Sequence, residues 1–451
     1  MTTRVLVPSG VLGLGFDHSA LAAGVAAKPD IIAIDGGSTD SGPYYLGTST
    51  SKYSRAACKS EWKLLLQARQ ELQVPLVITS CGTCGTDDMV DWMLEITREL
   101  AAELGFKLTV ATLYTEQSTE HIKQQLIAGR ISPLQPVVAI DEGAIDAIDH
   151  IVALAGAEQI NAAIDTGADV ILAGRATDTA GICALPLARG EHPGASWHAA
   201  KVAECGALCS TNPTSGVIAI DVDDEGFSVW PLAASARCTP HSVSAHMLYE
   251  NADPLTLYEP GGALQVADSH YESVDGVKVR VTGSRWEKSE HYTVKLEGAR
   301  AVGYQSTLMA ILRDAHYVAN AAQWSDRLTD FLADEIRSRM QVEENDFDIE
   351  IRLIGANAAL GELETKSSGA SEIGVLVLVT ATTEELAEEL AKLINPFLLH
   401  YPLTDNEELP TFAFPYSPAQ TNRGAMYEFC LNHVMKINDP MDVFRLNVQT
   451  L

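Results

Sequence analysis

Short apolar runs that break off into clusters of glycine, hydroxyl and carboxylate residues recur through the first half of the chain. Asp30–Ile34 leads into Asp35-Gly36-Gly37-Ser38-Thr39-Asp40-Ser41-Gly42. Pro75–Thr79 leads into Ser80-Cys81-Gly82-Thr83-Cys84-Gly85, and Asp169–Ala173 into Gly174-Arg175-Ala176-Thr177-Asp178-Thr179. Continuous apolar runs of this length, bounded by glycine and followed by helical periodicity, read as buried parallel strands. Arg4–Pro8, Lys107–Leu113 and Pro136–Ile140 are predicted as further strands. Helices are predicted over Ser54–Leu72, Thr86–Leu104, Ser118–Ala128 and Gly143–Ala155. Such alternation specifies right-handed crossovers and an α/β fold, a parallel sheet with helices on both faces. A doubly wound sheet is the first expectation; a distorted barrel shares the same alternation.

The texture changes beyond residue 211. Gly216–Val222, Gly226–Trp230, Gly276–Thr282 and His291–Leu296 are β-type runs punctuated by turn signals such as Asp275-Gly276. Further on, the pattern predicts helices at Ser306–Ala315, Trp324–Met340 and Thr383–Asn395, strands at Asp348–Leu353 and Ile373–Ala381, and a last helix near Met426–Met435. The expected organisation is an α/β parallel-sheet domain over 1–211 carrying the strand-end loops, a β-rich segment over 212–300, and a smaller α/β domain with a C-terminal tail over 301–451.

Charge narrows the class of partner. Lys+Arg 31 against Asp+Glu 60 leaves a formal charge of −29, a field that repels nucleic acid and anionic membrane surfaces. There is no basic start with an apolar h-region and no run of ~18 apolar residues, so the expected location is the cytoplasm. A reducing compartment would keep the eight cysteines as thiols. Phe412, Phe414, Tyr416, Tyr427 and Phe429 gather aromatics near a proline-spotted tail. They predict a homo-oligomer or partner contact there.

Ligands of open parallel sheets bind where the strands' carboxyl ends open into loops, and the three loops are predicted to converge there. The first loop offers Asp35 and Asp40 as proton-transfer groups, with Gly36, Gly37, Ser38 and Thr39 as amide and hydroxyl donors. Ser80, Gly82 and Thr83 contribute from the second loop. Arg175, with Asp178 beside it, has a planar fork suited to a substrate carboxylate, or else pairs structurally with Asp178. His241 has a side chain suited to moving protons, and Lys295 could hold a second carboxylate. His246 and Glu250 are spaced as a local i,i+4 pair. A divalent metal (Mg2+ or Mn2+) on Asp35, Asp40 or Asp178 is left open. Cys81-x-x-Cys84 lacks a second ligand pair, and Cys205 with Cys209 lacks zinc spacing, so both read as packing. A Walker loop, H-E-x-x-H, G-x-S-x-G and a complete dinucleotide fingerprint are all absent.

Several strings together resemble the acyclic terpene utilisation, AtuA-type, family. They are Asp35–Pro43, Ala173–Asp178, Lys201–Ala207, Cys238–His246, Val294–Ala299 and Arg423–Phe429. The likeness runs through nearly the whole chain, with Cys81 and Cys84 standing where the family pattern has alanine-sized residues. It implies a link to the breakdown of branched or acyclic acids and a form that works with a small companion protein. The expected function is proton-transfer chemistry on a small di- or tricarboxylic acid, of hydro-lyase (hydratase) or isomerase type, without a redox cofactor. The alternatives are a non-catalytic ligand-binding or assembly subunit, and an acyl-CoA handling enzyme.

Overall fold

The computed structural model describes residues 2–366 and 369–451. The chain forms two compact units, Met1–Arg300 together with Phe429–Leu451, and Ala301–Glu428. Two long strands, Tyr292–Leu312 and Gln420–Ile437, carry the chain from one unit to the other and back.

The larger unit is built on an open 10-stranded sheet. Its centre is parallel, in the order Thr3–Val7, Ile31–Ile34, Leu76–Ile78, Val170–Ala173, Thr109–Tyr114. Alternate side chains divide between the two faces, as strand geometry requires. Leu6, Ile32, Ile34, Leu76 and Ile78 pack with the helices His18–Ala26, Arg55–Leu72 and Asp87–Leu104. Val5, Val7, Ile31, Ala33 and Val77 pack with Ala157–Ile164, Ala180–Ala188 and Pro193–Ala203. Helices thus cover both faces of an open sheet rather than ringing a closed barrel. The helices begin where the sequence supplies caps: Asp17, Ser54 and Ser118 each accept backbone N–H groups of the first turn.

The β-rich segment does not stand apart. Ile218–Val222 pairs antiparallel with Thr3–Val7, and Gly226–Pro231, Val279–Thr282 and His270–Ser273 continue the same sheet outward. At the opposite edge Arg445–Thr450 pairs antiparallel with Thr109–Tyr114 and forms the last strand of the sheet.

The smaller unit has the order strand, helix, strand, strand, helix, strand: 301–312, Ala321–Arg339, Phe347–Ile354, Ile373–Ala381, Glu384–His400 and 420–428. Its spatial strand order places Ile373–Ala381 between Phe347–Ile354 and the incoming strand, with the returning strand on that strand's far side. This is a split βαβ arrangement of ferredoxin-like type.

Four sequence expectations are corrected. Pro136–Ile140 is not a strand; His150–Ala153 is, inside the span expected as the helix Gly143–Ala155, and only Glu142–Asp146 is helical there. The helix expected at Ser306–Ala315 is strand through Leu312, and the one expected at Met426–Met435 is strand throughout. In the first of these long strands Leu308, Ala310 and Leu312 are buried alternately; in the second, Leu431, His433, Met435 and Ile437 are. His433 fills an apolar slot and so masks the period of two. Phe412 turns inward in the smaller unit, edge-on to Tyr317 and Trp324, whereas Tyr416 and Phe429 stay exposed.

Candidate active site

The loops that follow the parallel strands meet at one end of the sheet. The Gly36 amide donates to the Thr79 carbonyl (2.9 Å), the Ser80 amide to the Gly174 carbonyl (2.9 Å), and the Arg175 amide to the Gly85 carbonyl (3.0 Å). Each loop is thereby fastened to the next. They border a cavity of ≈ 490 Å³ together with Ser9–Val11, which follows the first strand, and Glu204–Cys205, which follows the buried helix Pro193–Ala203. Two glycines make this closeness available. A Cβ on Gly10 would stand 2.6 Å from the Cys205 Cα. Gly37 has φ +113°, and a Cβ there would stand 2.9 Å from Val11.

Of the residues singled out in the sequence, Asp35, Gly37, Ser38, Asp40, Thr83 and Asp178 line the cavity. Asp35 is buried, and the Thr79 hydroxyl donates to its Oδ1 at 3.2 Å. Burial, and then the charge of Asp178, push the Asp35 carboxyl well above the usual carboxylate range, against the pull of Arg175. The Ser38 hydroxyl donates to Asp40. The Thr83 Oγ1 is buried in the cavity wall with no hydrogen-bond partner. Among the described residues, the backbone amides of Gly37 and Ser38 have no acceptor.

Other expected site residues lie elsewhere. Gly36 is held inside the loop by its bond to Thr79, and Gly82 packs against Met89. Arg175 is buried and its guanidinium is engaged internally. Its Nε donates to Glu297 (3.0 Å), and its Nη1 to Ser80 Oγ (3.1 Å), the Ala176 carbonyl (3.0 Å) and Asp178 (3.4 Å). Thr39 also donates to Glu297 (3.1 Å), and Lys295 pairs with it at 3.0 Å without lining the cavity. Arg175, through its Nε, and Lys295 therefore bind the chain's own Glu297. Burial would raise the Glu297 carboxyl, but Arg175 and Lys295 outweigh it and hold the group at about 2. His241 is exposed on the short helix Pro240–Ala245 and does not line the cavity. His246 does not pair with Glu250; its ring stacks on Tyr249 (5.5 Å, 17°).

The cavity also contains Glu250, and Glu204, which was not among the expected site residues. Glu204 is buried, and burial pushes its carboxyl well above the usual range, although the adjacent Lys201 ammonium opposes the shift. Lys201 donates to Glu204 Oε1. Glu250 is raised by burial and by Asp40. The legible signal lay in the helix Pro193–Ala203, whose residues from Gly194 onward are buried, Lys201 included. A lysine in such a helix needs a partner, and Glu204 is three residues on. Asp35, Asp40 and Asp178 do not form a ligand cluster among the described residues; Glu204, Cys205 and His246 do. Cys81 and Cys84 are buried free thiols, as are most of the eight cysteines.

Five cavity carboxylates, Asp35, Asp40, Asp178, Glu204 and Glu250, face few cations. Lys52, with no carboxylate partner among the described residues, is one. Such a site favours bound protons on its buried members, or a bound cation. Asp35, raised by burial and by Asp178, is suited to be a proton donor, and the open amides of Gly37 and Ser38 to hold developing negative charge.

Comparisons with curated proteins and with solved structures return no match. No helix among the described residues is long and apolar enough to cross a membrane. The family model described as acyclic terpene utilisation family protein AtuA matches residues 48–408. That span contains Thr83, Arg175, Asp178, Glu204 and His246, while Asp35–Pro43 and Arg423–Phe429 fall outside it. With most of the 451 residues covered, the chain belongs to the acyclic terpene utilisation AtuA family.

Proposed function

We propose that the cavity is the acid–base site of a lyase or isomerase that moves a proton beside the carboxylate of a small di- or tricarboxylic acid. The observation that carries this reading is the pairing of Asp35 with Asp178. Both line one cavity, yet Asp35 is buried and raised while Asp178 is open to the cavity and touches the Arg175 guanidinium. A buried carboxyl and a neighbouring one that is open to the cavity and bonded to a guanidinium are placed to take the two roles of proton transfer. Protonated Asp35 donates to a departing hydroxide, and Asp178 accepts the proton next to the substrate carboxylate. The enolate-like charge that develops falls to the amides of Gly37 and Ser38 and to Lys52. Arg175 takes no direct part; it fixes Asp178 and the loop.

The free thiols support a reducing, cytoplasmic setting. Homo-oligomerisation and a small companion protein complete the proposal and are read by light scattering and co-purification.

The test is solvent-deuterium exchange, followed by NMR, on a panel of di- and tricarboxylic hydroxy acids with and without divalent metal. The expected result is incorporation of deuterium beside one carboxylate, or formation of the unsaturated acid, with loss of both in Asp35→Asn. A wild-type protein that binds members of the panel without exchange or turnover would overturn the reading in favour of a non-catalytic binding subunit.

A further inference from the structure

Glu204, Cys205 and His246 come together from two separate segments. Glu204 and Cys205 follow the buried helix Pro193–Ala203, and His246 begins the turn that follows Pro240–Ala245. One donor atom from each lies within 4.8 Å of the other two. His246 is 5 % exposed and Glu204 2 %. The His246 Nε2 is buried with no hydrogen-bond partner, a costly state for a polar atom unless something else satisfies it. Its ring is held in place by stacking on Tyr249.

We propose that Glu204, Cys205 and His246 bind one transition-metal ion of the Zn2+ class, with an open coordination position facing the cavity. The donor set selects the metal: one thiolate, one imidazole and one carboxylate suit Zn2+, and the thiolate disfavours Mg2+ and Mn2+. Three protein ligands with a fourth position left to water or substrate are the composition of catalytic rather than structural zinc sites. Glu204 and Cys205 line the cavity, which gives that position its access. Tetrahedral zinc brings its donors to about 3–4 Å from one another, so closure needs a contraction of at most about 1–2 Å.

The surroundings orient the ligands. Lys201 donates to Glu204 Oε1, and among the described residues no hydrogen bond reaches the other carboxylate oxygen. Lys201 is thus a positioning residue that aims Glu204, as outer-sphere partners do at metal sites. Gly10 presses against the Glu204 carbonyl and the Cys205 Cα, where a Cβ would stand 2.9 and 2.6 Å away. On binding, the Cys205 S–H bond breaks, its proton leaves to solvent and a sulfur–metal bond forms. Thiolate and carboxylate then balance the ion's double charge. The assignment does not depend on the acid–base reading, because it is read with metal alone.

The experiment is titration of metal-stripped full-length protein with Co2+, a spectroscopic stand-in for Zn2+, monitored by absorption and followed by competition with Zn2+. The expected result is one Co2+ per chain with a thiolate-to-cobalt charge-transfer band and the intense ligand-field bands of a four-coordinate ion, both abolished by Zn2+. Cys205→Ser, which is nearly isosteric, should fold and lose the charge-transfer band; His246→Ala should bind at least ~10-fold more weakly. Lys201→Met should keep the band and weaken binding by a smaller factor. Absence of Co2+ binding by the wild-type chain would overturn the proposal. So would binding without a thiolate band, which would point to an all-oxygen site, or a thiolate band that persists in Cys205→Ser.

Discussion

Asp35 and Glu297 are both buried carboxylates within the field of the same guanidinium, and they are driven in opposite directions. Glu297 accepts from Arg175, Lys295 and Thr39 and is held at about 2. Asp35 accepts from one hydroxyl, faces Asp178 and Glu204, and is pushed far up by burial and by those charges. The same side chain chemistry therefore serves two ends. Where cations and donors surround a carboxylate it fastens elements together; here it ties the strand Tyr292–Leu312 to two of the loops. Where like charges surround it, it keeps a proton or awaits a cation. Proximity to an arginine does not by itself distinguish the two cases; the full set of partners does.

Asp35→Asn should produce the largest change in chemistry. It should lower turnover in the exchange assay by about 10²–10⁴-fold, the usual contribution of a positioned acid or base. Its thermal stability should hold or rise, since asparagine carries no charge to desolvate. An Asp35→Asn protein that melts far below wild type would erase the contrast with Glu297.

Glu297→Gln should do the reverse and cost about 3–5 kcal/mol of stability, the range for breaking one side of a buried pair and leaving the arginine uncompensated. Thermal or urea unfolding measures it. Arg175→Lys, which keeps the charge but loses the fork, should be destabilised as well. Unchanged stability in both variants would restore Arg175 as a free clamp for substrate.

The pH dependence sharpens the comparison further, because the signs differ. Glu297 titrates at about 2 in the folded chain against an ordinary 4.5. Its stabilisation is therefore present above 4.5 and lost as pH falls toward 2. Asp35 is raised above an ordinary 3.8. Its contribution is full below that value and lost as pH rises through the folded-state value. Melts across pH should show Glu297→Gln losing its disadvantage in acid and Asp35→Asn gaining relative to wild type in alkali. Parallel profiles for the two variants would contradict the assignment.

The smallest effect belongs to Lys295→Met. The lysine side chain is 41 % exposed, so its pair with Glu297 is screened by solvent and worth at most about 1 kcal/mol. A double-mutant cycle with Glu297→Gln measures that coupling, and a value matching that of Arg175 would show that exposure is not what separates the two cations.

Local sequence by itself determined the parallel core and the loops at its strand ends. Buried runs such as Ile31–Ile34 and Val170–Ala173 are apolar on both faces, glycine and polar clusters end them, and only strands with C-terminal loops satisfy both patterns. The helices Arg55–Leu72 and Asp87–Leu104 were equally legible, because a stripe of apolar residues and a terminal cap are local properties. The long strands Tyr292–Leu312 and Gln420–Ile437 were not. A short apolar run fits either period, and partners distant in sequence decide which one holds; Leu308 pairs with Val377, and His433 with Pro133. In the site, Asp35, Asp40 and Asp178 could be read from their loops. The engagement of Arg175 by Glu297, the burial of Lys201 with Glu204, and the approach of His246 to Cys205 could not. These contacts join residues far apart in the chain, or depend on how deeply a helix is buried. The energy of a buried charge is set by what surrounds it in three dimensions, and no window of sequence contains that neighbourhood.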